Sequence, residues 1–182
     1  MRVPLKLKFY YFLSHFIQNK KTPNFSMDIP RDIRDGEEFS LEKLKKYLSE
    51  NSISNENLSL KQFPSGYSNL TYFLESSSKQ FVLRRPPFGA KSLQGGHDML
   101  REYNVLKNLK SQFSKVPDVF LYCENDDILG APFYLMERVE GYIIRPNLQQ
   151  KDSPGSDIIQ NVSKSLVSTL VELHNVNIEQ AN

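Results

Sequence analysis

The 182-residue sequence has a single cysteine, Cys123, which excludes an internal disulfide framework and any cysteine-rich zinc module. It has no bulk charge of either sign: 23 Lys and Arg stand against 21 Asp and Glu, a formal +2. No acidic residue precedes Asp28, and no alanine precedes Ala90. The longest uncharged run of the N-terminal segment, Phe9 to Asn19, is 11 residues, whereas a helix needs about 20 to cross a bilayer core. What is present, 39% hydrophobic and 24% charged residues in 21.1 kDa, suits a globular chain holding one domain, or one domain and a tail.

Residues 1–27 differ in composition from the rest. They carry Arg2, Lys6, Lys8, Lys20 and Lys21 around an aromatic centre; the remaining chain has 18 basic and 21 acidic residues, net −3. Basic flanks and an apolar middle fit a signal peptide, a presequence or an interfacial helix. The missing alanine removes the small-residue cleavage signature, and arginine is scarce for a transit peptide. Weak targeting and an extension without its own function both remain open, as do cytoplasmic, mitochondrial and peroxisomal locations. Nucleic-acid binding would need a basic stripe on the body, which is mildly acidic, so no nucleic-acid partner is expected.

The body reads as helix, sheet, helix. Ser40 stands before Leu41, Leu44, Tyr47 and Leu48, an apolar stripe at helical spacing with Ser40 as N-cap. Leu58–Phe63, Leu70–Leu74 and Gln80–Arg85 read as strands of an antiparallel meander, the last ended by Pro86 and Pro87, which cannot continue its ladder. His97–Lys110 reads as a helix, with Asp98 in its first turn. Val116–Cys123 and Pro132–Glu137 are further strands, joined by an acidic turn, Glu124–Asp127, and by Leu129-Gly130. After a linker at Lys151–Gly155, Ile159, Val162, Leu166, Leu170 and Leu173 mark a last helix, capped by Ser156 or Asp157. There are no internal repeats.

Several stretches, in this order and spacing, carry a resemblance. They are Asp35-Gly36-Glu37-Glu38, Gln62 through Tyr72, Val82-Leu83-Arg84-Arg85-Pro86-Pro87, Arg101-Glu102-Tyr103, Gly130 through Gly141 and Leu173-His174. From Gly36 to about Asn177 the sequence resembles the aminoglycoside-phosphotransferase-like kinases, most closely the branch fused ahead of acyl-CoA dehydrogenases. The resemblance implies an α+β fold: a protein-kinase-like N-lobe with an antiparallel sheet of about five strands plus a helix over residues 36–141. Residues 142–182 would then supply a linker and the first helix of a truncated C-lobe. It also implies ATP as cofactor, with Mg2+ only in a full-length parent, and a small-molecule acceptor.

The same resemblance places a nucleotide site. The turn Ser65, Gly66, Tyr67, Ser68 and Asn69 joins two strands and would offer backbone N–H groups and small hydroxyls to phosphates. It lacks the Gly-Lys-Ser/Thr of a Walker loop and would otherwise be an ordinary hairpin turn. Arg84 holds the third-strand position of a phosphate-binding cation, where many relatives have lysine. Strand alternation sets Val82 and Arg84 on one face and Phe81, Leu83 and Arg85 on the other. Glu102 is the helix carboxylate that would pair with Arg84 and keep it aimed; otherwise it is a solvated helix charge. Glu137 and Val139, at the hinge, would read adenine through a backbone carbonyl and N–H. His174 reads as structural, and Cys123 lacks a base to make it a nucleophile.

The catalytic equipment of that family is not found. An Asp must orient and deprotonate the acceptor hydroxyl, and a carboxylate plus an amide must hold the metal. None of His15, His97 or His174 begins a His-x-Asp triplet, and the last Asp, Asp157, precedes Leu173-His174. The sequence alone therefore leads to an expectation of a nucleotide-binding piece that needs a missing lobe, or another chain, to cover its last helix. The alternative is a non-catalytic interaction module.

Overall fold

The computed structural model describes residues 29–64, 68–89, 97–141 and 155–180. The N-terminal basic segment, Ser65, Gly66 and Tyr67 of the turn, and Lys151–Pro154 of the expected linker lie outside these residues.

Helix α1 is Leu41–Glu50, and Ser40 caps it as its position predicts, its side chain accepting from the Lys43 N–H. At the other end Asn51 donates from Nδ2 to the Tyr47 carbonyl at 2.8 Å. The strands are β1 (Ser59–Gln62), β2 (Leu70–Glu75), β3 (Gln80–Arg85), β4 (Val119–Cys123) and β5 (Phe133–Glu137), in the sheet order β1-β2-β3-β5-β4. Every neighbouring pair is antiparallel. This is the mixed α+β architecture of a kinase-like N-lobe. The remaining helices are α2 (Met99–Leu109), the short α3 (Asp126–Leu129) and, beyond residue 141, α4 (Ser156–His174).

Alternation along the strands gives the sheet two unlike faces. Leu70, Tyr72 and Leu74 of β2, Phe81 and Leu83 of β3, and Phe133 and Leu135 of β5 form one core with Leu44 and Leu48 of α1 and Leu129 of α3. Each of the two α1 leucines is fully buried, contributing roughly 1.5–3 kcal/mol. The opposite face carries Val82, Arg84 and Tyr134 and receives α2, whose Tyr103 ring lies 5.8 Å from Tyr122 and 6.5 Å from Tyr134.

A polar clamp binds the N-terminal side to β1. Arg31 and Gln62 exchange backbone hydrogen bonds of 2.8 Å, and the buried Gln62 side chain accepts from the Arg34 N–H while donating to the Glu37 carboxylate. Tyr72 donates its hydroxyl to the Glu37 carbonyl at 2.7 Å. Burial works against the Glu37 carboxylate, but hydrogen bonds from Gln62 and Arg34 outweigh it and hold the group below its ordinary range.

Four local expectations need correction. Asp98 is the N-cap of α2, accepting from the Arg101 N–H, rather than a first-turn residue. The acidic turn becomes a helical turn, α3, because the Asn125 side chain caps the Asp127 N–H and Gly130, at φ 77°, ends it in the left-handed region. Strand β4 begins at Val119, three residues late: Pro117 has no N–H to give, and the Asp118 N–H goes to the Glu137 carboxylate. Helix α4 starts at Ser156 with Gly155 as N-cap and no side-chain cap bond, so neither Ser156 nor Asp157 fills that role.

Candidate functional site

Arg84 is the centre of the open sheet face. Its strand position is fixed on both sides, opposite Thr71 of β2 and Tyr134 of β5. From there its Nε lies 3.3 Å from Oε2 of Glu102 on α2, an ion pair in which both side chains are about one-third exposed, 31% and 34%. The Nε–H is not aimed along that line and makes no hydrogen bond among the described residues. Arg84 is therefore tethered by charge, with about a third of its side chain left exposed.

The Glu102 carboxylate is held at both oxygens. Asn69 donates from Nδ2 to Oε1 at 2.9 Å, and Tyr134 donates its hydroxyl to Oε2 at 3.0 Å. Burial first, and the Glu102 charge after it, push the Tyr134 hydroxyl well above the ordinary phenol range, so Tyr134 stays a donor. His97 places Nδ1 2.7 Å from Oδ1 of Asn69. Side chains from the turn, β3 and β5 thus converge on the α2 carboxylate, and His97, the residue before the α2 cap, reaches it through Asn69.

Beside this cluster is a cavity of about 580 Å³ between α2 and the sheet, within the range of small-ligand sites. Arg84 and Arg101 with Asp98 and Glu102 give it a charged lining of both signs, and Val105, Leu106 and Met136 an apolar one. Past Met136, Arg138 turns its guanidinium over Phe73, 4.5 Å from the ring centroid, with Phe63 at 5.8 Å. The Glu137 carboxylate accepts from the Asp118 N–H at 3.2 Å, and the Glu137 N–H donates to the Asp118 carbonyl at 2.7 Å. Val139 follows on exposed coil, 66% accessible.

Of the residues expected to contact nucleotide, Arg84, Glu102 and Asn69 come together. Glu137 ends β5 with Val139 two residues beyond it, away from that cluster, and Ser68 is exposed beside Asn69. Arg85 points to the other face, where it is fully buried and donates to the Leu129 carbonyl at 2.7 Å. His97 and Tyr134 were not singled out as site residues from the sequence; the signal that would have found them is a polar side chain placed against a strand pattern beside a helix cap. Among the described residues no group of three or more His, Cys, Asp or Glu side chains is placed to hold a metal ion.

The phosphotransferase enzyme family profile matches residues 59–182. The chain belongs to this family. Similar proteins include acyl-CoA dehydrogenase family member 11 of Rattus norvegicus, 37% identical over 160 residues that cover 84% of this chain and 20% of that protein. Family member 10 of Mus musculus is 32% identical over 90% of this chain and 14% of its own length. The chain thus spans a fifth or less of these curated relatives. A solved "putative aminoglycoside phosphotransferase" from Ralstonia eutropha JMP134 matches with TM-score 0.50 and 28% identity, over 62% of this chain and 32% of that one. The family's fold is the one seen here, with its kinase-like N-lobe sheet and helix α2 presenting Arg84 and Glu102 to the cavity.

Proposed function

We propose that the sheet and α2 form the nucleotide-binding lobe of an ATP-dependent phosphotransferase acting on a small-molecule hydroxyl. The observation that carries this reading is the Arg84–Glu102 pair: a strand cation tethered to a helix carboxylate, about one-third exposed and lining a cavity of ligand size. Membership of a phosphotransferase family supports ATP as the donor. A guanidinium so held fits phosphate oxygens, which it binds through charge-assisted hydrogen bonds. ATP, when bound, supplies the transferable phosphoryl group. Arg84 would hold phosphate, Glu102 would keep Arg84 aimed, and the Ser65–Ser68 turn would add backbone N–H groups. The Glu137 carbonyl and Val139 N–H would orient adenine.

The 182 residues hold no His-x-Asp triplet, so the base that deprotonates the acceptor and the carboxylate that binds Mg2+ would come from C-lobe residues outside them. The lobe alone would bind nucleotide without turning it over. That its relatives are named acyl-CoA dehydrogenases favours a hydroxyacyl-CoA over an aminoglycoside as the parent's acceptor. The test is calorimetric titration of the 182-residue chain with ATP, alongside Arg84→Ala. Losing one charge-assisted contact costs about 1.5–3 kcal/mol, so affinity should drop about 10- to 150-fold. Equal affinity in both proteins would refute the site, and phosphoryl transfer by the purified chain would refute the division of labour.

A second reading, a non-catalytic interaction module, draws on α4. None of its residues is buried, and Ile159, Leu166, Val167, Leu170 and Val171 are exposed, Leu166 at 68%. A chain that binds no ATP but associates through this helix would favour it.

A further inference from the structure

We propose that Asn69 and His97 are positioning residues that lock the Glu102 carboxylate, and through it the Arg84 guanidinium, in the geometry that receives nucleotide phosphate. The inference rests on the nucleotide reading above, and it moves Asn69 from the phosphate ligands to the machinery behind them.

The argument is one of donors and acceptors. The ion-paired carboxylate of Glu102 only accepts, so the amide end of Asn69 that faces it must be the NH2, as the 2.9 Å Nδ2–Oε1 contact has it. That choice leaves Oδ1, an acceptor, turned toward His97 Nδ1 at 2.7 Å. Nδ1 must then carry the proton. The hydrogen-bond chain runs one way, from His97 Nδ1–H to Asn69 and from Asn69 to Glu102, and each link fixes the orientation of the next. Asn69 is 4% exposed, and both ends of its amide are engaged inside the protein. That burial leaves it poorly placed as a direct phosphate ligand.

The geometric consequence falls on Glu102. With Tyr134 on Oε2 and Asn69 on Oε1, neither oxygen is free and the carboxylate plane cannot swing. Arg84 Nε meets the Oε2 edge at 3.3 Å. Removing Asn69 frees Oε1, so the plane can rotate and the cation loses a fixed partner. Asn69 lies immediately before β2 and His97 immediately before the Asp98 cap of α2. The relay therefore ties the phosphate-side turn and the start of the helix to the same side chain.

The experiment uses the 182-residue chain with ATP as probe. Asn69→Ala should weaken ATP binding about tenfold, whereas in a Glu102→Ala background the same change should cost less than about twofold. Equal losses in both backgrounds would make Asn69 a direct ligand and overturn the proposal. His97→Ala should weaken binding about threefold, and His97→Asn, which keeps a donor near the Nδ1 position, should restore it; failure of that rescue would count against the relay. A second readout needs no nucleotide. Long-range 1H–15N spectra should show neutral His97 as the Nδ1–H tautomer, shifting toward a mixture in Asn69→Ala; an Nε2–H tautomer in the unaltered chain would overturn the relay. If the unaltered chain binds no ATP, the nucleotide reading falls, and the tautomer alone decides the relay.

Discussion

Two adjacent arginines on β3 should fail in opposite ways. Arg85 is fully buried in the face packed on α1 and α3. It donates from Nη1 to the Leu129 carbonyl at 2.7 Å and from Nε to the Pro86 carbonyl at 3.1 Å, and its guanidinium lies 3.7 Å from the Phe88 ring centroid. Hydrogen bonds from a charged donor are worth about 1.5–3 kcal/mol, and a desolvated cation–π contact up to about 2. Burial lowers the Arg85 pKa, so part of this gain offsets the cost of desolvating the charge. Arg85→Ala also empties the volume of a long side chain and strands the Leu129 carbonyl. The net loss should be about 3 kcal/mol, or a fall in Tm on the order of 10 °C. Arg85→Met, which refills the volume without a charge, should recover about half of it. Arg84→Ala breaks only a pair that is about one-third exposed, worth about 0.5–1 kcal/mol of stability, while removing the proposed phosphate contact. Urea unfolding and ATP titration of the three variants separate the roles. If Arg85→Ala unfolds with a loss below about 1 kcal/mol, or Arg84→Ala proves the more destabilised, the two-faced account of the sheet is wrong.

Other expectations are smaller and equally direct. Glu56 accepts from Ser77 Oγ at 2.5 Å and from Ser78 Oγ at 2.6 Å at the β2–β3 turn, and hydrogen bonds from Ser77, Ser78 and Ser76 lower its pKa to about 2. Its stabilisation is present above its ordinary pKa and is lost as pH falls toward 2, so Glu56→Gln should flatten the stability profile across that window, measured by thermal scans. Ser40→Ala should cost about 1 kcal/mol through loss of the α1 cap, read by urea unfolding, with Ser40→Asp neutral. Leu166→Glu on α4 should leave Tm within about 2 °C, because the side chain is exposed and packs against nothing that buries it, and should weaken any concentration-dependent association seen by sedimentation.

The sheet was largely legible. β3 spans Gln80–Arg85 as read, since its alternation is regular and two prolines close it. The β4 start was not, because it depends on the Glu137 side chain taking the Asp118 N–H, a contact between strands that no local pattern announces. The one-turn α3 is too short for a 3.6-residue period to show. At the site, the Arg84–Glu102 pairing followed from strand position, helix position and family resemblance. The Asn69–His97 link and the Tyr134 contact did not, because they join residues 28 and 32 apart in sequence through single hydrogen bonds. Hydrophobic periodicity reports which face is buried; it carries nothing about which polar atoms meet across it.

The clamp from Arg31 to Glu37 also bears on where the folding unit starts. β1 is the outermost strand of the sheet, with a row of backbone groups that could template pairing with another molecule. Arg31 occupies the edge at Gln62, and the Arg34–Glu37 turn closes over the same residue. The family profile begins at residue 59, after this guard. A chain trimmed to that boundary would retain every strand and the site cluster, yet it would bare the β1 edge, strand the buried Gln62 amide and lose α1 with its core leucines Leu44 and Leu48. Its failure would be twofold, an open edge that templates aggregation and a core face stripped of α1, and restoring residues from 29 onward would cure both without adding a single residue to the site.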